Sequence, residues 1–482
     1  MLKLNTVLQA DLCIRALIQY RILHSSILQK LSISRFNHLQ RELSTSSHRY
    51  FHTQKPTKSK HRYLQPKEWD EPFTLPHLGL DWHFLLNKEN RDLIAENIAH
   101  RKGVGDIDKV LDLADKLKEE QDAAQKEIIK ENLISEALDI PNFSHPNSPI
   151  GGDTEAQEIK VIGSKREFDF KPRMVREIAG KGLRMYRDEN LTFTTGSKTY
   201  FLEDGLARLE QALVSYTVEK LMKKGFELVS VPDLLQCDVV DSCGFKTASD
   251  RSQVYRIHPK CYPDVCLSGT AEMALAGYFM DEVIPHEELP KKVMAVSRCY
   301  RAEAAEKAIE RGLYRVHHFT KVEMFGVTAS ENGTESDYLL QDILSIETEL
   351  FEDLGLHFRV LEMPTQELGA PAHRKYDIEA WMHGKNIWGE ISSCSNCTDF
   401  QSRRLNIRYT DPSGQIRYAH TVNGTGCAVP RMIIAILEQN QQQGRKLTLP
   451  EVLWPYMQGE TYLSGEGKTK SWYTFVKTLR KV

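Results

Sequence analysis

Short segments in which apolar and polar residues alternate constrain the fold of this chain more than any other feature. The strand candidates are Phe226–Pro232, Val293–Cys299, Tyr314–Thr328, His357–Met363, Tyr376–Trp381 and Ile407–Tyr409. Successive side chains of a strand point to opposite faces, so alternation indicates a sheet with one covered face. It favours antiparallel strands over the continuously apolar strands of a doubly wound parallel sheet. With amphipathic helices over 205–224 and 432–440, the sequence predicts an α+β fold in which helices flank an antiparallel sheet.

Length and composition set the outer limits of the fold. The chain has 482 residues, of which 41% are hydrophobic and 27% are charged. At roughly 150 residues per domain this length predicts about three units, and the ordinary composition excludes wholesale disorder and fibrous folds. No apolar run approaches the roughly 18–20 residues that span a bilayer. The sequence therefore excludes an integral membrane protein, and we expect no membrane partner.

The formal charge of −3 is the sum of two unlike segments. Residues 1–60 carry ten Lys and Arg against two acidic residues, a charge of +8, and the remainder carries −11. A basic, serine-rich, acid-poor start with spaced Leu and Ile is typical of a mitochondrial transit peptide, which we assign to residues 1–55. This predicts import into the mitochondrial matrix. The alternative is a disordered basic tail that binds RNA or a membrane.

The cysteines do not indicate disulfides or zinc. There are nine, scattered along the chain, and an odd, dispersed set argues against a disulfide framework. Cys394 and Cys397 form a CxxC pair, but structural zinc needs two further ligands at suitable spacing. His420 and Cys427 form no second pair, so we expect no zinc.

A helical segment precedes the predicted sheet. From Ile107, a coiled-coil spacing places apolar residues at Val110, Ala114, Leu117, Ala124 and Ile128. It predicts one helix of about 30 residues, roughly 45 Å long, capped by Asp106 and packed on residues 84–101 as an antiparallel hairpin. The alternative is a pair of surface helices within a larger domain.

The Pro- and Gly-rich stretch Asp139–Asp153 marks a boundary after the helical segment. We therefore expect a short helical arm over residues 70–140, one large domain over 141–465 and a basic tail over 466–482. The tail is interpreted either as a nucleic-acid contact or as a solvated end.

A first polar cluster lies on a predicted hairpin. Arg301 and Glu303 follow one strand candidate, and Phe319, Lys321 and Glu323 alternate along the next. Residues two apart share a face of a strand, so arginine, carboxylates and an aromatic ring lie together. Arginine suits phosphate, and an aromatic ring suits a purine base. The alternative is a salt-bridged sheet surface with a packed phenylalanine.

Two further clusters follow. The run Glu390-Ile391-Ser392-Ser393 is either part of a site or a polar strand end that leads into a solvated loop. From Asn423, a Gly-rich turn leads into a helix that begins near Pro430, with Arg431 at its N-terminal end. A helix N-terminus with an arginine makes an anion site. The alternative is an ordinary turn with a surface arginine.

Together these clusters resemble the motifs of class II aminoacyl-tRNA synthetases. The hairpin resembles motif 2, the glycine turn with Arg431 resembles motif 3, and the helix 205–224 with its following strand resembles motif 1. The segments most similar to seryl-tRNA synthetases are Thr270–Glu272, Arg301–Glu303, Arg311–Glu323, Ser392–Gln401 and Asn423–Arg431. Met363–Gly369 and Gln439–Gln443 resemble the animal mitochondrial members. The resemblance is dense over about 140–460, and it implies a class II fold and, through motif 1, a homodimer.

The resemblance also implies substrates and residue roles. ATP, accompanied by Mg²⁺, is expected to contact Arg301, Ala302, Glu303, Val316, Phe319, Glu390, Ile391, Ser392, Ser393 and Arg431. The catalytic group is Arg301, Arg431 and Glu390, and magnesium is expected at Glu390 and Ser393. L-serine is expected to contact Thr270, Ala271, Glu272, Glu323 and Thr425. The last partner is mitochondrial tRNA(Ser), which receives the seryl group.

One departure from the family and two alternative functions remain. The family's helical arm is two long antiparallel helices, and here it is short. A paralogue that has lost catalysis is one alternative, but the residues such a paralogue would lose are present: Thr270, Glu272, Arg301, Glu303, Glu323, Glu390 and Arg431. A class II enzyme for another amino acid is the second alternative, which the Thr-x-Glu and Asn-Gly-Thr elements disfavour.

Overall fold

The computed structural model describes residues 79–189, 191, 194–249, 252–303 and 312–466. The predicted leader 1–55 lies outside these residues, and so does the predicted basic tail apart from Glu466. The segment 304–311 of the predicted hairpin also lies outside them. The expectations for these three segments stay predictions.

A sheet of eight strands organises the described region. Numbered along the chain, all the strands are β1 (Gln157–Ile162), β2 (Tyr186–Arg187), β3 (Phe201–Leu202), β4 (Glu227–Leu228), β5 (Leu234–Gln236), β6 (Val265–Leu267), β7 (Val283–Pro285), β8 (Lys291–Tyr300), β9 (His318–Thr328), β10 (Phe358–Glu362), β11 (Arg374–Met382), β12 (Ile387–Thr398), β13 (Arg408–Thr410), β14 (Ile416–Tyr418), β15 (His420–Ala428), β16 (Lys446–Thr448) and β17 (Tyr462–Ser464). The main sheet has the order β1-β10-β11-β12-β15-β9-β8-β4. Its neighbours pair antiparallel except β4, which runs parallel to β8. The predicted antiparallel α+β fold is confirmed.

Two strand candidates are shorter than predicted. The segment 226–232 contributes only the two residues of β4, which lies at the edge of the sheet. Within the segment 314–328 the strand begins only at His318. The residues after Gly312 (φ 83°) form a turn instead. The backbone of His317 still accepts a hydrogen bond from Arg301 N at 3.0 Å.

Two central strands contain clusters that were interpreted differently from sequence. Glu390 and its neighbours lie within β12, which continues to Thr398. The predicted glycine turn is wrong, because Gly424 and Gly426 belong to β15. These glycines are needed for packing: a Cβ on Gly424 would lie 2.3 Å from the Ile343 side chain, and one on Gly426 would lie 3.0 Å from Thr217. The glycines let two helices pack directly on the strand.

Helices pack on both faces of the main sheet and also form the separate helical arm. Within the described residues they are α1 (Trp82–Leu86), α2 (Arg91–His100), α3 (Ile107–Glu119), α4 (Ala123–Leu138), α5 (Gly205–Lys223), α6 (Cys237–Ser242), α7 (Ala271–Tyr278), α8 (Glu335–Asp353), α9 (Phe400–Leu405) and α10 (Val429–Gln439). The predicted helices over 205–224 and 432–440 are confirmed as α5 and α10. With α8 they supply Leu209, Ile343 and Ile433 to a core shared with Val322 and Ile378 of the sheet. None of the described helices is long and apolar enough to cross a membrane.

The structure corrects the predicted single rod of the helical arm. Residues 120–122 interrupt it, so helices of 13 and 16 residues replace one long helix. The break is stabilised locally, because the Glu120 carboxylate accepts hydrogen bonds from the backbone N–H groups of Gln121 and Asp122. Asp122 then caps α4 by accepting from Gln125 N at 2.8 Å.

The hairpin is therefore internal to residues 107–138. An ion pair of 2.5 Å joins Lys109 near the start of α3 to Glu136 near the end of α4, so the two helices run antiparallel. The predicted seam position Ile128 is 51% exposed. The buried residues of α4 are instead Ile129, Leu133 and Ala137. Residues 84–101 pack beside the hairpin, as predicted, through Leu85, Ile94 and Ile98.

Candidate active site

A cavity of about 340 Å³ opens beside strands β9, β12 and β15 of the main sheet. The alternation of β9 creates it, since Phe319, Lys321 and Glu323 line the cavity while Val322 and Met324 join the core. The predicted site residues that line it are Thr270, Glu272, Arg301, Glu303, Val316, Phe319, Glu323, Glu390, Ile391, Ser392, Ser393, Thr425 and Arg431. The fold thus brings together residues from separate segments of the chain.

Two predicted residues lie outside this lining. Ala271 is fully buried in the first turn of α7. Ala302 donates its backbone N–H to the carbonyl of Gln253 at 2.8 Å. Their neighbours Thr270 and Arg301 do reach the cavity, so these alanines space the functional side chains along the backbone.

One end of the cavity holds two buried carboxylates. The Glu323 carboxylate is paired with Lys321 Nζ at 2.5 Å and accepts a hydrogen bond from Thr425 Oγ1 at 3.1 Å. The Glu272 carboxylate accepts from neutral amides, Gln401 Nε2 at 2.7 Å and Asn423 Nδ2 at 3.3 Å. One carboxylate therefore has a cationic partner and the other has amide partners.

Burial makes the charge at Glu272 energetically unfavourable. Burial, and then the nearby charge of Glu323, raise its pKa to about 7. An ammonium group bound there would favour the ionised form and lower this pKa. We call this part of the cavity, around Glu272 and Glu323, the acidic end.

The other end holds arginine. Arg431 lies in the first turn of α10, pairs with the Glu390 carboxylate at 3.0 Å and stacks over the Tyr314 ring at 4.6 Å. Burial opposes the charge of Glu390, but Arg431 and Lys375 hold its pKa at about 2. Burial likewise opposes the charge of Arg431, but Glu390 raises the pKa of that arginine. We call this part of the cavity the arginine end.

Arg301 lies where β8 ends and joins the two ends. Its Nε donates to the carbonyl of Gly269 at 3.2 Å, and its guanidinium lies 5.4 Å from the centroid of the Phe319 ring. Glu303 pairs with Arg315 at 3.4 Å. The geometry therefore places a guanidinium next to an aromatic ring on one wall, as the predicted hairpin requires.

A β-bulge arranges oxygen ligands on β12. The register against β11 shifts between Glu390, opposite Glu379, and Ser392, opposite Ile378. The extra residue is Ile391, so the side chains of Glu390 and Ser393 share a face. A carboxylate and a hydroxyl are the oxygen donors that Mg²⁺ takes together with phosphate and water. Among the described residues, no group of three or more His, Cys, Asp and Glu side chains could hold a metal ion.

Several lining residues were not assigned roles from sequence. Lys375, the loop Gly369–Ala372, Gly244 and Phe245 also line the cavity, and Asp377 pairs with Lys375. Burial, together with Glu390, raises the pKa of Asp377 to about 6 although Lys375 pairs with it at 2.8 Å. Alternation signalled this pair, because Lys375 and Asp377 share a face of β11. The loop carries no such signal, since its residues are small and apolar.

Comparisons with known proteins give the family. A sequence model described as the tRNA synthetase class II core domain (G, H, P, S and T) matches residues 255–440. The mitochondrial serine–tRNA ligase of Mus musculus is 48% identical over 334 residues, which are 69% of this chain and 64% of that protein. The chain thus spans less than two thirds of this relative. The serine–tRNA ligase of Treponema denticola is 38% identical over 78% of this chain and 98% of its own length.

A solved structure agrees. The crystal structure of seryl-tRNA synthetase from Pyrococcus horikoshii complexed with ATP superposes with a TM-score of 0.69 and 27% identity, covering 80% of this chain and 99% of that one. The sequence comparison and the structural comparison indicate the same family. The relative from Treponema is matched over nearly its whole length. The chain belongs to the seryl-tRNA synthetase family of class II aminoacyl-tRNA synthetases.

Proposed function

We propose that this chain is a mitochondrial serine–tRNA ligase. It activates L-serine with ATP to seryl-adenylate and transfers the seryl group to the 3′ end of mitochondrial tRNA(Ser). The observation that carries the proposal is a single cavity with an acidic end, an arginine end and Arg301 between them. An amino acid ammonium fits the first end and a polyphosphate fits the second.

Serine binds with its ammonium group at Glu272. Lys321 already neutralises Glu323, so the carboxylate without a cation is the one that gains most from a positive ligand. Thr270 and Thr425 supply hydroxyls within the same lining. A pocket that hydrogen-bonds the serine hydroxyl rejects alanine, because its polar groups would be left unpaired.

Activation is a phosphoryl substitution that positioning and charge stabilisation accelerate. A serine carboxylate oxygen attacks the α-phosphorus of ATP, the bond to the β-phosphate oxygen breaks, and pyrophosphate leaves. The carboxylate is already ionised, so no general base is needed. Arg301 holds the α-phosphate and the serine carboxylate, and Arg431 holds the γ-phosphate. Phe319 stacks on adenine, beside Glu303 and Val316.

Glu390 and Ser393 would hold Mg²⁺. The ion, when bound, neutralises phosphate charge. Glu390 is poised for this role because its pKa of about 2 keeps it ionised. Its ion pair with Arg431 also keeps the arginine in the cavity until phosphate replaces the carboxylate as its partner. Ile391 and Ser392 continue the wall on which the nucleotide lies.

Transfer completes the reaction. A hydroxyl of the terminal tRNA ribose attacks the carbonyl carbon of seryl-adenylate, and the mixed anhydride bond between that carbon and the phosphate oxygen breaks. AMP leaves with the electron pair, and the hydroxyl proton is released to water. The helical arm over residues 70–140 and the basic tail over 466–482 are the proposed tRNA contacts. Local basic groups must provide that affinity, because the chain after residue 60 carries −11.

The remaining parts of the proposal concern the whole chain. Residues 1–55 act as a transit peptide for the mitochondrial matrix, and residues 141–465 form the catalytic domain. Two copies form a homodimer through the motif 1 elements α5 and β4. The named mitochondrial relative and the charge of +8 on residues 1–60 support the location.

Serine-dependent ATP–pyrophosphate exchange tests the activity. We expect Arg301→Ala and Glu323→Ala to abolish exchange, while Arg417→Ala and Glu349→Ala retain it, because the ion pairs of these two controls lie outside the cavity. Undiminished exchange in both active-site variants would refute the residue roles.

Aminoacylation of total mitochondrial tRNA, with each amino acid supplied in turn, tests the specificity. Charging with serine is expected. Charging with a different amino acid would support a class II enzyme of other specificity. No charging and no exchange would support a paralogue that has lost catalysis, although the seven residues named above share one cavity.

A further inference from the structure

Arg101 joins the helical arm to the wall of the cavity. It follows α2 and is only 5% exposed. Its guanidinium donates hydrogen bonds to the backbone carbonyls of Gly369 at 2.5 Å, Ala370 at 3.3 Å, Ala372 at 2.9 Å and Asn142 at 2.9 Å, and to Ser144 Oγ at 3.5 Å. Three of these carbonyls belong to residues 369–372, which we call the wall loop.

Asn142, just beyond the helical arm, holds the rest of the wall loop. Its backbone N–H donates to the carbonyl of Ala370 at 2.9 Å, and its Nδ2 donates to the carbonyl of Pro371 at 2.8 Å. The same Nδ2 reaches the carbonyl of Cys397 at 2.9 Å. Between them, Arg101 and Asn142 therefore contact all four carbonyl oxygens of the wall loop.

The wall loop borders the acidic end of the cavity. All four of its residues line the cavity, and so does Cys397. The Cys397 Sγ lies 3.9 Å from Asn423 Oδ1, and Asn423 in turn donates to Glu272. Gly244 packs directly against the wall loop, since a Cβ on it would lie 2.6 Å from the Pro371 ring. A small displacement of the wall loop would therefore change the shape of the serine pocket before that of the arginine end.

The charge of Arg101 is matched by dipoles. In the part of the chain that the structure describes, no acidic side chain forms an ion pair with it, and burial lowers its pKa to about 10. The guanidinium is still charged at neutral pH and depends on the converging carbonyls. A lysine is a point charge that cannot span this fork of acceptors. Replacement would leave buried carbonyls without a donor.

We propose that Arg101 is a positioning residue of the serine pocket: with Asn142 it fixes the wall loop, so the helical arm sets the shape of the pocket. This inference rests on the proposed function. It gives the helical arm a role in binding serine that is separate from any contact with tRNA.

The test compares Arg101→Lys and Arg101→Met with the matched control Asp81→Asn. Asp81 also ties the helical arm to the catalytic region, through Arg403 at 3.3 Å, but it does not touch the wall loop. Asparagine keeps the oxygen that accepts from Phe84 N at the start of α1. Exchange is measured with purified full chain over ranges of serine and of ATP, together with thermal unfolding by circular dichroism.

We expect both Arg101 variants to raise the KM for serine on the order of tenfold, because hydrogen bonds to a charged group are lost. The KM for ATP and the kcat should change by less than about twofold, as should every parameter of Asp81→Asn. A merely structural role would lower stability without this difference between substrates. An unchanged serine KM, an equal rise in both KM values, or failure of both variants to fold would overturn the inference. If the wild-type chain shows no serine-dependent exchange, the proposed function fails first and this inference fails with it.

Discussion

Replacing Glu272 with glutamine should make the chain more stable at pH 8 but abolish its activity. Glu272 is buried beside Glu323, and its pKa is raised from 4.5 to about 7. This displacement corresponds to a cost of about 3 kcal/mol for keeping the group ionised in the folded state. Glutamine carries no charge and keeps an oxygen for Gln401, but it cannot accept from Asn423 with its amide nitrogen. The lost hydrogen bond offsets about 1 kcal/mol.

The sign of the effect depends on pH. Between pH 4.5 and about 7 the folded chain keeps a proton on Glu272 that the unfolded chain has released. The free energy of unfolding of the wild type therefore falls as the pH rises through this window, and the loss is complete above it. We expect Glu272→Gln to be more stable than the wild type by about 2 kcal/mol at pH 8, and less stable by about 1 kcal/mol below pH 5. Its serine-dependent exchange should be lost at both pH values.

Glu438 offers a matched control. It is another buried glutamate whose pKa burial raises to about 7, and it accepts a hydrogen bond from Gly384 N at 2.8 Å outside the cavity lining. Glu438→Gln should show a similar dependence of stability on pH but keep the wild-type KM for serine. Thermal unfolding at fixed protein concentration, at pH 4 and pH 8, measures both variants. A Glu272→Gln protein that is no more stable than the wild type at pH 8, or that retains the wild-type serine KM, would refute the reasoning.

Three further predictions follow from the structure. Arg431→Gln removes the ion pair that holds the pKa of Glu390 at about 2. The KM for ATP in pyrophosphate exchange should therefore rise, while the KM for serine stays nearly constant. Equal changes in both KM values would contradict the assigned role. Gly424→Ala places a Cβ 2.3 Å from a methyl carbon of α8, and thermal unfolding should show a loss of about 1–3 kcal/mol, with no loss arguing against the close packing. Leu133→Ala should destabilise the helical hairpin by about 2–4 kcal/mol, and Ile128→Ala by less than about 1 kcal/mol. The reason is that the Leu133 side chain is buried whereas that of Ile128 is 51% exposed. Chemical denaturation that ranks the two variants in the reverse order would support the coiled-coil spacing predicted from sequence.

Local periodicity predicted the fold class correctly but misplaced helix boundaries. The alternation that marks β8 through β11 is a property of neighbouring residues, so it can be recognised without knowing which strands pair with one another. The helical arm differs from these strands, because the coiled-coil spacing of its sequence continues across Gln121 without a break. In the folded chain, the capping interactions of Glu120 and Asp122 end one helix and start another. Local hydrogen bonds of this kind compete with helix continuation and are not visible in apolar spacing.

The glycines of β15 show a second limit. Gly424 and Gly426 suggested a turn because glycine is common where the chain reverses. Here they are small because α5 and α8 press against the strand, and that requirement comes from residues far away in sequence. Arg101 is similar: it is an ordinary arginine at the end of a helix until the wall loop, more than 260 positions later, brings its carbonyls to the guanidinium.

The sequence by itself indicated the family and the residue types that line the candidate site. Phe319 and Glu323 share a face of β9 because side chains alternate, Arg301 directly follows β8, and Arg431 lies at a helix N-terminus because Pro430 favours the first turn. Only the tertiary structure decided how these groups act on one another. Burial and the charge of Glu323 raise the pKa of Glu272 to about 7, Lys321 pairs with Glu323, and Arg101 supports the wall loop from outside the cavity. The reason is physical: periodicity is encoded by neighbours along the chain, whereas burial, charge coupling and hydrogen-bond partners depend on distances that exist only after distant segments meet.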